Sequence, residues 1–130
     1  MKSFIIQSLA LIGAMVVIVD VASIPPPKTN VLLKSIFADA NNMLNTFSQK
    51  NLTSRVKRPW KGDASRCWMY FFCLAEKSLN LTDFNQSKLT KHLHQYNKLT
   101  NITNCHLNMN NTISLKSLLT NITACTKIEL

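Results

Sequence analysis

The chain has 130 residues and a formal net charge of +9, from 15 Lys+Arg against 6 Asp+Glu. That length suits one small domain. Gly13 and Gly62 are its only glycines, which excludes a phosphate-cradling loop, and no Gly-x-Ser-x-Gly elbow, His-Glu-x-x-His or paired carboxylates occur. The sequence therefore predicts neither an enzyme nor a cofactor.

Residues 1–23 read as a signal peptide. Met1-Lys2 gives a positive start, and Phe4 to Val19 is almost wholly apolar. Val21-Ala22-Ser23 then supplies the small residues a signal peptidase reads. The apolar run is shorter than the ~20 residues of a membrane span, so the expectation is export without membrane insertion. Lys2 and Asp20 cancel, and residues 24–130 keep the full positive charge. Outside the cell, nucleic acid is not the expected partner of that charge. A solvated basic surface, or attachment to sulfated glycosaminoglycans, fits better.

Residues 24–29 contain Pro25-Pro26-Pro27 and predict an extended leader. A first helix is expected over 30–48. Leu33, Ile36, Phe37, Ala40, Met43, Leu44 and Phe47 follow an i, i+3, i+4, i+7 stripe, with Asp39 on its border. Residues 49–63 form a long connection. Its basic run Arg55-Val56-Lys57-Arg58 looks like a convertase site, but Pro59 disfavours cleavage, and a solvated loop is expected. A second helix is expected over 64–79, capped by Asp63 or Ser65. Trp68, Met69, Tyr70, Phe71, Phe72, Leu74 and Leu79 make it apolar almost all round. A short polar turn follows, where Asp83 and Gln86 fit a variant capping box. The third helix, 84–100, has Leu89, Leu93, Tyr96 and Thr100 inward and Lys91, His94 and Lys98 together on the far side. Residues 101–111 form a second long connection. The fourth helix, 112–127, buries Leu115, Leu118, Leu119, Ile122 and Cys125 and carries Lys116, Thr120, Thr123 and Lys127 outside.

A short link makes its two helices antiparallel, whereas a long link allows parallel ones. Long, short, long therefore reads as an all-α, up-up-down-down four-helix bundle.

Four cysteines in an exported chain predict two disulfides. A metal site is not expected, since no Cys-x2-Cys pair occurs and His92, His94 and His106 lack ligand spacing with the cysteines. Cys67 and Cys73, placed in one helix, would be separated by a rise of about 9 Å. Bridged Cα atoms lie no more than about 6.8 Å apart, so each must reach Cys105 or Cys125. The favoured pairing is Cys73–Cys105 with Cys67–Cys125, and the swapped pairing is the alternative. Six Asn-x-Ser/Thr sequons, at Asn51, Asn80, Asn85, Asn101, Asn110 and Asn121, mark candidate glycosylation sites.

The segment Phe72-Cys73-Leu74-Ala75-Glu76-Lys77-Ser78-Leu79 resembles the second helix of the interleukin-4/interleukin-13 family, in particular its fish members. Leu93 to Cys105 is similar to the family's third helix running into a crossover cysteine. Leu115 to Cys125 is similar to its last helix, and Met43-Leu44-Asn45-Thr46-Phe47 to the middle of its first. Each motif is short, and their order and spacing carry the likeness. The resemblance implies a short-chain class I helical cytokine, acting as a monomer that bridges two receptor chains. It also implies the Cys73–Cys105 bridge. Asp39 matches the acidic position that meets the high-affinity receptor chain. His94 matches the basic position, with Lys91 and Lys98 on the same face as alternative cations. Lys116, Thr120, Thr123 and Lys127 would meet the second receptor chain. Two other readings are an interleukin-2- or interleukin-5-type cytokine, separable by its bridges, and a cationic host-defence protein acting on membranes.

Overall fold

A computed structural model describes residues 25–60 and 67–130. The expected signal peptide, the Asp63 and Ser65 caps and the start of the expected second helix lie outside these residues. In chain order the elements are α1 (Pro25–Thr46), α2 (Gln49–Leu52), β1 (Arg55–Lys57), α3 (Phe71–Asn80), α4 (Lys88–Thr100), β2 (Thr112–Ser114) and α5 (Leu115–Glu129). The protein is mostly helical, as its periodicity predicts, and two disulfides cross-link it.

α1 begins earlier than the sequence reading has it. The backbone is helical from Pro25, where an extended leader is expected. The first N–H groups of a helix have no intrahelical acceptor, so prolines are tolerated in the first turn. The stripe behaves as its spacing requires: Leu33, Ile36, Ala40 and Met43 are buried, and Leu44 and Phe47 pack partly against the same core.

The first long connection is not the loop expected of it. Ser48 accepts a hydrogen bond from the Asn51 N–H and caps the single turn of α2, which inserts Leu52 into the core. The basic run forms β1, antiparallel to β2, with Arg55 opposite Ser114, Val56 opposite Ile113 and Lys57 opposite Thr112. Val56 is buried, and Lys57 and Arg58 are half-buried. Leu115 N–H to Ser54 O (2.8 Å) and Arg58 N–H to Asn111 O (3.0 Å) extend the ladder at both ends. The Arg55 guanidinium donates to Thr112 O at 2.8 Å, and Lys57 Nζ donates to Met109 O at 2.7 Å. These basic groups donate to carbonyls of β2 and of the segment before it.

α3 starts at Phe71, not at residue 64. Cys67 to Tyr70 form turns, and Trp68 and Met69 are exposed. Tyr70 stands at the N-cap without a side-chain hydrogen bond. The helix that remains is buried on most sides, through Phe71, Phe72, Cys73, Leu74, Ala75, Ser78 and Leu79. Ser78 Oγ donates to Lys57 O at 2.6 Å and ties it to β1. α4 starts at Lys88 rather than 84, because Ser87 and not Asp83 is its cap: Ser87 Oγ accepts from Thr90 N–H. It ends on Asn101 at φ 62°, a left-handed position that Asn tolerates better than most residues. α5 starts at Leu115 rather than 112, capped by Ser114 Oγ.

α1 packs against α4 and α5, while α3 packs against α4 and more lightly against α5. Their apolar faces form one core around the fully buried Ile36, Phe71, Leu79, Leu89, Leu93, Leu118 and Ile122. A smaller cluster, Cys73, Leu74 and Cys105, lies beneath the second long connection.

The bridges are Cys67–Cys125 and Cys73–Cys105, with Cα separations of 5.3 and 6.3 Å. One expectation behind that pairing needs correction. Cys67 precedes α3 instead of sharing a helix with Cys73, so the helical rise between them does not apply.

Candidate functional site

α4 is the helix around which the polar contacts gather. Positions two apart on a helix point in nearly opposite directions. His92 and His94 accordingly meet different neighbours. His92 Nδ1 lies 2.6 Å from Asp39 Oδ2 of α1, and His94 Nδ1 lies 2.8 Å from Glu76 Oε2 of α3. A carboxylate only accepts, so in both pairs Nδ1 carries the hydrogen. Asp39 is 18% exposed and Glu76 15% exposed, which places both carboxylates at helix seams rather than on open surface. Asn97, one turn beyond Leu93, is buried and donates from Nδ2 to Glu76 Oε1 (2.9 Å) and to Phe72 O (3.0 Å).

The seam between α1 and α4 continues past Asp39–His92 into an apolar groove of about 430 Å³. Val31 and Leu32 form one wall, Gln95 and Leu99 the other, with Lys28 at the end. Val31 is 62% exposed. On the other flank of α1, the Lys127 ammonium sits 5.5 Å from the centre of the Phe37 ring, a cation–π distance. Lys116, Thr120, Thr123 and Lys127 form one stripe of α5 at helical spacing beside that contact. The Thr120 and Thr123 hydroxyls turn back to the carbonyls of Lys116 and Thr120.

The residues expected to act together are thus divided. Asp39 stands on α1, and the α5 stripe borders that helix at the Phe37–Lys127 contact. Lys91 and His94 line the opposite groove, between α4 and α3, and Lys98 is exposed on the outer side of α4. The α4 side chain facing Asp39 is His92. The sequence pattern weighs His92 only as a metal ligand and does not single out Val31, Gln95, Leu99 or Asn97. The signal was present for Asn97, which continues the Leu89, Leu93 row at i+4. His92 stands three residues after Leu89, at the edge of the same inward row.

All four cysteines are bridged. Among the described residues no group of three or more His, Cys, Asp or Glu side chains could hold a metal ion. Burial pushes the Tyr96 phenol above its ordinary value of 10.0, and the Glu129 carboxylate adds to the shift. Of the sequon residues, Asn51, Asn80, Asn85, Asn101 and Asn110 are exposed and Asn121 is half-buried.

No helix among the described residues is long and apolar enough to cross a membrane. Comparison with protein-family models, with curated proteins and with solved structures gives no match.

Proposed function

We propose that the protein is a secreted helical cytokine, similar to the interleukin-4/interleukin-13 family, that bridges two class I receptor chains. The observation that carries this reading is the order of contacts along the helices. Phe72 meets Tyr96 and Asn97, and Glu76 meets His94, so the pairing runs in opposite directions along α3 and α4. Lys28 to Leu32 meet Gln95 to Leu99, Asp39 meets His92, and Phe47 meets Phe84, so α1 also opposes α4. α1 and α3 then run the same way, which is the up-up half of an up-up-down-down bundle. The second half follows if α5 opposes α1, and two contacts support that: Lys127 lies over Phe37 while Leu115 bonds to Ser54, beyond the end of α1. Two disulfides favour an oxidising compartment and so support export.

One receptor chain meets the α1–α4 seam, where the apolar groove and the Asp39–His92 pair lie side by side. The second meets α1 and the Lys116–Lys127 stripe of α5. An apolar patch next to a partly desolvated charge is the composition of a binding hot spot. The excess of lysine and arginine supports weak, salt-sensitive attachment to sulfated glycosaminoglycans. The protein acts as a monomer and carries out no catalysis.

The test is binding of the exported protein to isolated receptor ectodomains. Asp39→Lys places a cation against His92 and should weaken one ectodomain at least about tenfold, roughly 1.4 kcal/mol. Lys91→Glu, on the α3 side of α4, should leave both affinities as they were. An Asp39→Lys protein that folds and binds every candidate receptor unchanged would remove the seam from the interface.

A further inference from the structure

Two of the six sequons share one groove. Asn80 is the last residue of α3, Asn85 lies in the 81–87 link, and both are exposed. Both line a groove of about 410 Å³ between α3 and α4, together with Lys91 and His94. Neither side-chain amide is hydrogen-bonded among the described residues. Asn121 differs: it sits within α5, half-buried, and its Nδ2 donates to Ser117 O at 2.7 Å.

We infer that Asn80 and Asn85 each carry an N-linked oligosaccharide, and that the two sugars together roof the α3–α4 groove and close Lys91 and His94 to protein partners. The inference rests on the export part of the proposed function. The donor class is an oligosaccharide joined through its anomeric carbon to a lipid diphosphate. The Asn Nδ2 forms a bond to that carbon, the carbon–oxygen bond to the diphosphate breaks, and the proton lost by the amide goes to the departing lipid diphosphate. No electrons are exchanged.

The sequon hydroxyls say when this happens. In the folded link Thr82 Oγ1 donates to Leu79 O and accepts from Phe84 N–H, while Ser87 Oγ caps α4. The hydroxyls that mark the acceptors are therefore occupied once the link closes, and attachment belongs to the chain before that point. The acceptor amides remain outside the link afterwards, so the sugars do not oppose its closure. α1, by contrast, contains Asn30, Asn41, Asn42 and Asn45, and none of them stands in a sequon. Carbohydrate at Asn80 and Asn85 thus covers one flank of α4 and leaves the flank facing α1 bare. A large hydrated sugar at the groove mouth excludes a protein surface by bulk alone.

The full-length chain is expressed in a eukaryotic cell line, and the exported protein is deglycosylated with a peptide amidase in ¹⁸O water. Peptide mass spectrometry should find ¹⁸O-labelled Asp at both 80 and 85. Carbohydrate at Asn51 or Asn110 with unmodified Asn80 and Asn85 overturns this inference and leaves export standing. A chain without carbohydrate at any sequon, retained in the cell, overturns both. The roof is tested by labelling lysines with a bulky amine-reactive polymer. Lys91 should react several-fold more slowly than Lys116 in the glycosylated protein, and at a similar rate once both sugars are trimmed to their first residue or in the Asn80→Gln/Asn85→Gln variant. Equal rates before and after trimming overturn the roof.

Discussion

Asn97 sets its amide between two acceptors of α3, the Phe72 carbonyl and the Glu76 carboxylate, at a position that is 2% exposed. Truncation there strands both acceptors. Asn97→Ala should cost about 1–3 kcal/mol of stability, the penalty of leaving buried polar groups unpaired, read as a lower urea midpoint. His94→Ala removes only a partner that is 59% exposed, and should cost much less. Tyr96 gives a pH effect of definite sign. Its phenol binds a proton more tightly when folded than when unfolded, because burial and the Glu129 carboxylate both disfavour the phenolate. The associated stability is complete below the ordinary value of 10.0 and is lost as pH rises through the higher folded value. Unfolding midpoints followed from neutral to strongly alkaline pH should fall less steeply for Tyr96→Phe than for the unsubstituted protein. Parallel curves would show that the phenol does not ionise on unfolding.

Helix starts here depend on which hydroxyl captures the free N–H groups. Asp83 and Gln86 offer a cap in the sequence, yet Ser87 takes the role, and Thr90 Oγ1 returns to Phe84 O to close the preceding turn. Ser87→Ala should therefore destabilise by about 1 kcal/mol, and Asp83→Ala by a few tenths at most. Chemical denaturation of the two variants separates these outcomes. The cross-links act over longer stretches. Cys73–Cys105 ties the first turn of α3 to the second long connection, across 32 residues of chain. Replacing both cysteines by serine should cost about 2–4 kcal/mol, chiefly by freeing the unfolded chain. The helical circular dichroism should survive that change, because α3 and α4 keep the Asn97 and Phe72–Tyr96 contacts. The β1–β2 pair was beyond reach of pattern reading. Three residues on each side give no usable alternation, and the central partners are as distant in sequence as Val56 and Ile113.

The bundle and its connections form one object: the two long links pair with each other as strands and pack on α3 and α5. α1 runs past the seam with α4 on one side and meets the α5 stripe on the other. If the two faces serve two receptor chains, Asp39→Lys and Lys127→Glu should each weaken a different ectodomain, and the double variant should bind neither. Surface plasmon resonance against each chain separately reads this directly. A single variant that weakens both ectodomains equally would mean one shared face.

Periodic apolar residues were enough to place three of the helices, because a helix must turn one stripe inward wherever it ends up. The bodies of α1, α4 and α5 follow from Leu33–Met43, Leu89–Leu93 and Leu115–Ile122 in that way. An even number of cysteines likewise announced two bridges. What the linear pattern left open was the choice among nearly equivalent polar partners on α4. Asp39 had three cations and two histidines on α4 within helical reach of a guess, and only the rotation of α4 against α1 selects His92 and sends His94 to Glu76. The same rotation buries Asn97 and sets Lys91 into the opposite groove. The basic run at 55–58 became a strand because Val56 could be buried and its carbonyl-rich partner lay alongside, a fact of three-dimensional neighbourhood. Local spacing records which side of an element faces inward. It carries no information about which neighbour waits there, and that is settled when the helices pack.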